Sequence, residues 1–136
     1  MKFKINHIFL VQCMYFALSA TTAYQKIVDF TIPEWFAHKF EASFIGLIPF
    51  GILFSFIVIT IIESTIAIAM IYSMLNKEYK VESEKLAYNF GLDLSLILFI
   101  ILFFGSFLVG DYNNGALDFI YFIGTLIIRQ KLITNY

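Results

Sequence analysis

From Ala42 to Leu75 the chain carries one acidic or basic side chain, Glu63, within an otherwise uncharged and strongly apolar run. As one straight helix this run would be about 51 Å long, well beyond a hydrocarbon core of about 30 Å. It must therefore be divided, and Pro49 and Gly51 supply the break. The division leaves Phe50–Leu75 as a membrane-spanning helix and Ala42–Ile48 as the end of a shorter helix before it. Glu63 then falls at mid-membrane, where a carboxylate is expensive and needs a partner, which makes the position a site hypothesis by default.

Further apolar stretches surround this one, and 60% of the residues are hydrophobic, against about 45–50% in ordinary soluble domains. The expected fold is an all-α membrane protein: a four-helix transmembrane bundle with a short interfacial helix between spans one and two. It forms a single integral membrane domain over residues 1–136. The spans are placed at about 5–24, 50–75, 92–110 and 116–129 from the length a bilayer requires. The fourth is short, so it must tilt, extend or be sheltered by protein. The opening segment, with Lys2, Lys4 and small residues after an apolar run, has features of a secretory signal; it is read here as the first span. Thr31, Pro33 and Glu34 have the pattern of a capping box opening the short helix. Its Trp35, Phe36 and Phe40 are expected at headgroup level, where aromatic rings concentrate.

Four spans predict alternating loop charge. Lys2, Lys4, Lys77, Lys80, Lys85, Arg129 and Lys131 fall on one side, and Lys26 and Lys39 on the other. Both termini are therefore expected in the cytoplasm of a bacterial inner membrane, with an organellar inner membrane as the alternative. The mixed-charge segment NKEYKVESEKLAYNF is expected to be a solvated loop or a short surface helix.

The net charge of −1 provides no footprint for nucleic acid. Cys13 is the only cysteine, and His7 and His38 are isolated, so no disulfide, CxxC chemistry, metal site or other cofactor is expected.

The stretch ALSATTAYQK with Lys26, the aromatic loop PEWF and the segment IIESTIAIA with Glu63 resemble the DoxX-like family of small four-span bacterial membrane proteins. The resemblance touches the first half of the chain. It implies association with quinone-linked redox systems or with accessory subunits of oxidases and dehydrogenases.

Glu63 has two readings: proton handling or binding of a polar ligand head, and a hydrogen-bonded interhelical tie. Its expected partners are Thr60 on the same helix and Tyr15 and Gln12 on the first span, with groups of another subunit as a further option. No second carboxylate stands at matched depth, so a paired acid/base mechanism has no support and no catalytic residue is assigned. Lys26, Trp35 and Lys39 are expected at lipid headgroups, the lysines by snorkelling. Asp93 and Asp118 are expected to complement the starts of the third and fourth helices. Thr65, Ala69 and Ser73 form a small-residue stripe suited to a close helix neighbour. Phe99, Phe103, Phe104 and Phe107 either pack in the bundle and face lipid or line an isoprenoid groove. The function these features favour is that of a non-catalytic accessory subunit of a larger membrane complex, of respiratory or other redox type. Its partners are then the lipid bilayer and other membrane subunits. The alternative is a quinone- or proton-coupled oxidoreductase or carrier that uses Glu63.

Overall fold

A computed structural model describes residues 6–29 and 31–134, so Lys2, Lys4 and the expected start of the first span at residue 5 lie outside the described residues. Among the described residues the chain is entirely helical: α1 (His7–Asp29), α2 (Glu34–Glu41), α3 (Phe44–Leu47), α4 (Gly51–Leu75), α5 (Leu86–Leu108) and α6 (Tyr112–Thr134). The break around Pro49 is present. Phe50 adopts a left-handed backbone with φ of 61°, and α4 starts at Gly51. An aromatic residue in that region is strained. Gly51 permits the tight reversal because a Cβ there would strike the Ile45 carbonyl oxygen.

Two helices, α4 and α5, are long and apolar enough to cross a membrane. Among the described residues the other two expected spans, in α1 and α6, do not meet that test. α1 and α6 each have 23 residues, but both are too polar. α1 includes Gln12, Ser19, Thr22, Gln25, Lys26 and Asp29, and α6 includes Asn113, Asn114, Asp118, Arg129, Gln130 and Lys131. The helices are also longer than the apolar runs suggested. α1 continues past Tyr24 to Asp29, α5 begins at Leu86, and α6 runs from Tyr112 to Thr134. Polar helix ends persist because several of their side chains find partners, as described below. The short connecting helix is in fact two pieces, α2 and α3. The expected capping box is not formed: α2 has no side-chain cap, and the Phe36 and Ala37 amides donate to the Pro33 carbonyl.

The long helices pack in chain order, α1 on α4, α4 on α5 and α5 on α6. The Tyr15 hydroxyl and Thr125 are hydrogen-bonded and join α1 to α6. Asn6 donates to the Tyr79 carbonyl, which brings the start of α1 beside the α4–α5 connection and fixes the antiparallel sense. Ile59, Ile66, Met70, Tyr88, Leu92, Leu98 and Phe99 form the centre of the core. Phe36, expected at headgroup level, instead inserts from α2 and meets Phe56 edge-on at 5.4 Å between centroids. Phe40 packs against the same core, while Trp35 is exposed.

Two of the three members of the small-residue stripe of α4 pack inside the chain, while Thr65 is only half-buried and returns its hydroxyl to the Ile61 carbonyl of its own helix. Ala69 and Ser73 are buried, Ala69 toward Gly91 of α5 and Ser73 toward Gln12 of α1. Gly91 allows the close α4–α5 approach, since a Cβ there would lie 2.6 Å from Met70 Cε. Gly91→Ala is expected to be nearly neutral, because the flexible Met70 tip can move and alanine favours helix by about 1 kcal/mol. Gly91→Leu should cost about 1–3 kcal/mol by overpacking, read as a loss of unfolding free energy in detergent.

Candidate functional site

The partner of Glu63 is Lys26. Its Nζ donates to Glu63 Oε1 at 2.7 Å and to Oε2 at 2.6 Å. The Glu63 side chain is only 6% exposed and that of Lys26 17%. Lys26 was expected to snorkel to headgroups, and it turns inward because the antiparallel register of α1 and α4 carries its long stem to the carboxylate. Buried charges are tolerated when paired and hydrogen-bonded, and here one ammonium engages both oxygens.

The residues expected around Glu63 serve other contacts. Thr60 returns its hydroxyl to the Phe56 carbonyl of its own helix. Tyr15 is taken by Thr125. Gln12 Nε2 donates to Ser73 Oγ at 2.7 Å, one end of a second buried network. Ser73 Oγ in turn donates to Glu78 Oε2 at 2.7 Å, and Glu78 accepts the amides of Tyr88 at 2.8 Å and Ala87 at 3.2 Å.

Glu78 is thus buried, whereas the mixed-charge segment around it reads as solvated; Glu82 and Glu84 are exposed, as such a segment should be. It satisfies two orphan amides in the first turn of α5, the groups a helix start leaves without intrahelical partners. The one sequence signal that could have singled it out is its position a few residues before the start of α5.

At the opposite end of the bundle, Lys39 of α2 donates to Asp111 Oδ2 at 2.7 Å. Asp111 also caps α6 by accepting from the amide and side chain of Asn114. Asp118, expected at this cap, lies two turns into α6 and accepts from Ser106 at 3.3 Å. Asp93 likewise caps nothing and pairs with Arg129 Nε at 2.8 Å. The Lys39 hydrogen bond, aided by Asn114, pulls Asp111 down from 3.8 to about 2.

Because the folded carboxyl titrates below the unfolded one, its stabilising contribution is complete above pH 3.8 and is lost as pH falls through 2. Trp35, the only tryptophan, sits on α2 beside this tether. Its emission should therefore change with a midpoint near pH 2, and Lys39→Gln should move that midpoint upward.

Between α2 and the outer parts of α4, α5 and α6 lies a cavity of about 580 Å³. Lys26 forms part of its wall, so the ion pair borders open space. Lys39, Asn114 and Asp118 are the other charged or amide groups on the wall, and Trp35, Phe36, Phe40, Phe104 and Tyr121 supply aromatic surface. Of the phenylalanines expected along the third span, Phe99 is buried, Phe104 and Phe107 are exposed, and Phe103 stacks on Phe107 at 4.5 Å. No family model, curated protein or solved structure matches this chain.

Proposed function

We propose that the protein is an integral membrane bundle in which α1 and α6 cross the bilayer beside α4 and α5. In this reading it serves as a small non-catalytic accessory subunit of a larger membrane assembly, of respiratory or other redox type. The observation that carries the accessory role is the Lys26–Glu63 pair. The mid-helix carboxylate already has both oxygens engaged by a cation of its own chain, so it acts as a tie between α1 and α4. The same two residues carry the resemblance to the DoxX-like family, which supports placing the chain beside those proteins.

Membrane embedding is supported by an inside-out distribution of side chains. Gln12, Ser73, Ser95 and Thr125 are almost wholly buried between helices, while Phe54, Ile61, Ile68, Ile97 and Ile120 face outward. Only 33% of each apolar stretch in α4 and α5 is buried, which leaves large apolar side chains of both helices facing outward. Lipid-facing apolar side chains around a polar helix interface are what a bilayer selects. The basic groups at the α4–α5 connection and the end of α6 favour a cytoplasmic placement for that end and for both termini, as in a bacterial inner membrane.

Gentle detergent extraction followed by native mass analysis should recover a fixed set of larger partner subunits. Recovery of a stable lone protein or homo-oligomer that carries all activity would overturn the accessory role. The second reading, a quinone- or proton-coupled enzyme or carrier, is favoured by one feature: Lys26 lines the cavity beside Tyr121. The Lys26→Met/Glu63→Gln double variant, which leaves no unpaired charge, distinguishes the two: an accessory subunit keeps turnover of the assembled complex and a proton carrier loses it.

A further inference from the structure

The cavity arises from a mismatch in helix length. Gln12 faces Ser73 and Lys26 faces Glu63, so α1, which ends at Asp29, stops near the level of Thr60. The first nine residues of α4, about 14 Å at 1.5 Å per residue, then have no α1 beside them. α2 and α3 fill that corner incompletely. Two further cavities adjoin the first. One, of about 340 Å³, shares Lys26 and is walled by Ile27, Ile32, Leu53, Phe56 and Ile57. The other, of about 420 Å³, shares Ile45, Ser55 and Phe104 and is walled by Phe44, Phe50 and Phe54.

The polar wall has unused hydrogen-bonding capacity of both signs. An ammonium has three donors. Lys26 gives two of them to Glu63, and Lys39 gives one to Asp111. One N–H of Lys26 and two of Lys39 therefore remain for a ligand. Asp118 accepts one long bond from Ser106, so most of its lone pairs are open, and it lies within electrostatic reach of Lys39. Lys26 is balanced by Glu63 and Lys39 by Asp111, which leaves Asp118 as the uncompensated charge. The complementary ligand has an anionic acceptor group joined by a short link to a cationic donor group, with apolar chains attached.

We infer that the cavity binds an aminophospholipid of the bilayer. Its phosphate lies on the spare N–H groups of Lys39, its primary ammonium on Asp118, and its acyl chains run inward past Lys26 toward the apolar cavity walled by Ile27, Leu53 and Phe56. A choline headgroup has no N–H to donate to Asp118. A glycerol headgroup adds net negative charge to a site that already has it. The inference rests on the membrane reading above and is independent of the accessory role.

The test is native mass spectrometry of the full chain, titrated separately with dioleoyl phosphatidylethanolamine, phosphatidylcholine and phosphatidylglycerol. The ethanolamine lipid should bind about tenfold tighter than the other two, the value of one charge-assisted hydrogen bond in a partly wet site. Asp118→Asn, nearly isosteric, should erase that preference, while Lys39→Gln should weaken the ethanolamine and choline lipids alike. Equal binding of the three lipids, or an Asp118→Asn protein that keeps the preference, would overturn the site. Soluble O-phosphoethanolamine should fail to displace the lipid at millimolar concentration, and displacement at micromolar concentration would overturn the assignment to a bilayer lipid. Alkaline carbonate extraction reads the membrane reading separately. A protein that stays with the membrane but shows no lipid preference sinks the site alone, and one released by carbonate sinks the embedding on which it rests.

Discussion

Replacing Lys26 with methionine should destabilise the protein by about 3–5 kcal/mol, the usual cost of leaving one member of a buried ion pair without its partner. The packing of the stem is retained in methionine, so the loss reports the charge rather than a cavity. Lys26 keeps 17% of its side chain exposed, so water relieves some of the orphaned charge, and the lower part of that range is expected. The Lys26→Met/Glu63→Gln double variant should be more stable than Lys26→Met alone, because no unpaired charge remains. The measurement is unfolding free energy in mild detergent across the four proteins of the cycle. Additive losses would mean that the two side chains act independently and that this pair does not tie α1 to α4.

Glu78→Ala should cost about 2–4 kcal/mol, since it removes the acceptor of two helix-start amides and of a buried hydroxyl in one step. Glu82→Ala and Glu84→Ala, made in the same connection at exposed positions, should stay within about 0.5 kcal/mol of wild type. The contrast separates a buried capping carboxylate from its solvated neighbours. Hydrogen exchange supplies the local check: the Ala87 and Tyr88 amides, which donate to Glu78, should lose protection in Glu78→Ala while Leu98 and Phe99 keep theirs. A uniform loss of protection would instead mean that Glu78 supports the whole bundle.

These two residues also show where reading along the chain succeeds and where it stops. The break before α4 was legible because Pro49 and Gly51 act locally, through backbone geometry that needs no distant partner. Glu63 stood out for the same reason: a charge in an apolar run is conspicuous wherever its partner lies. Lys26 was legible as a charge but not as that partner, because 37 residues separate the pair and a lysine at a helix end reads as an interfacial anchor. Glu78 was hidden more completely. Its neighbours in sequence include the exposed Lys77, Lys80, Glu82 and Glu84, and its hydrogen-bond partners come from α4 and α5.

That the chain is helical, that the run before Leu75 divides near Pro49, and that Glu63 lies within a long helix and requires a partner can all be read along the chain. Those conclusions follow from periodicity, hydropathy and the fixed φ of proline, all of which act over a few residues. Packing of the helices against one another was needed to show that Lys26 neutralises Glu63, that Gln12, Ser73 and Glu78 join three helices, and that α1 stops short and opens a cavity beside α2. Each of these depends on the register between helices. A shift of one residue turns a helical side chain by about 100°, from an interface toward lipid or solvent, and the register is set by the packing of all four long helices together.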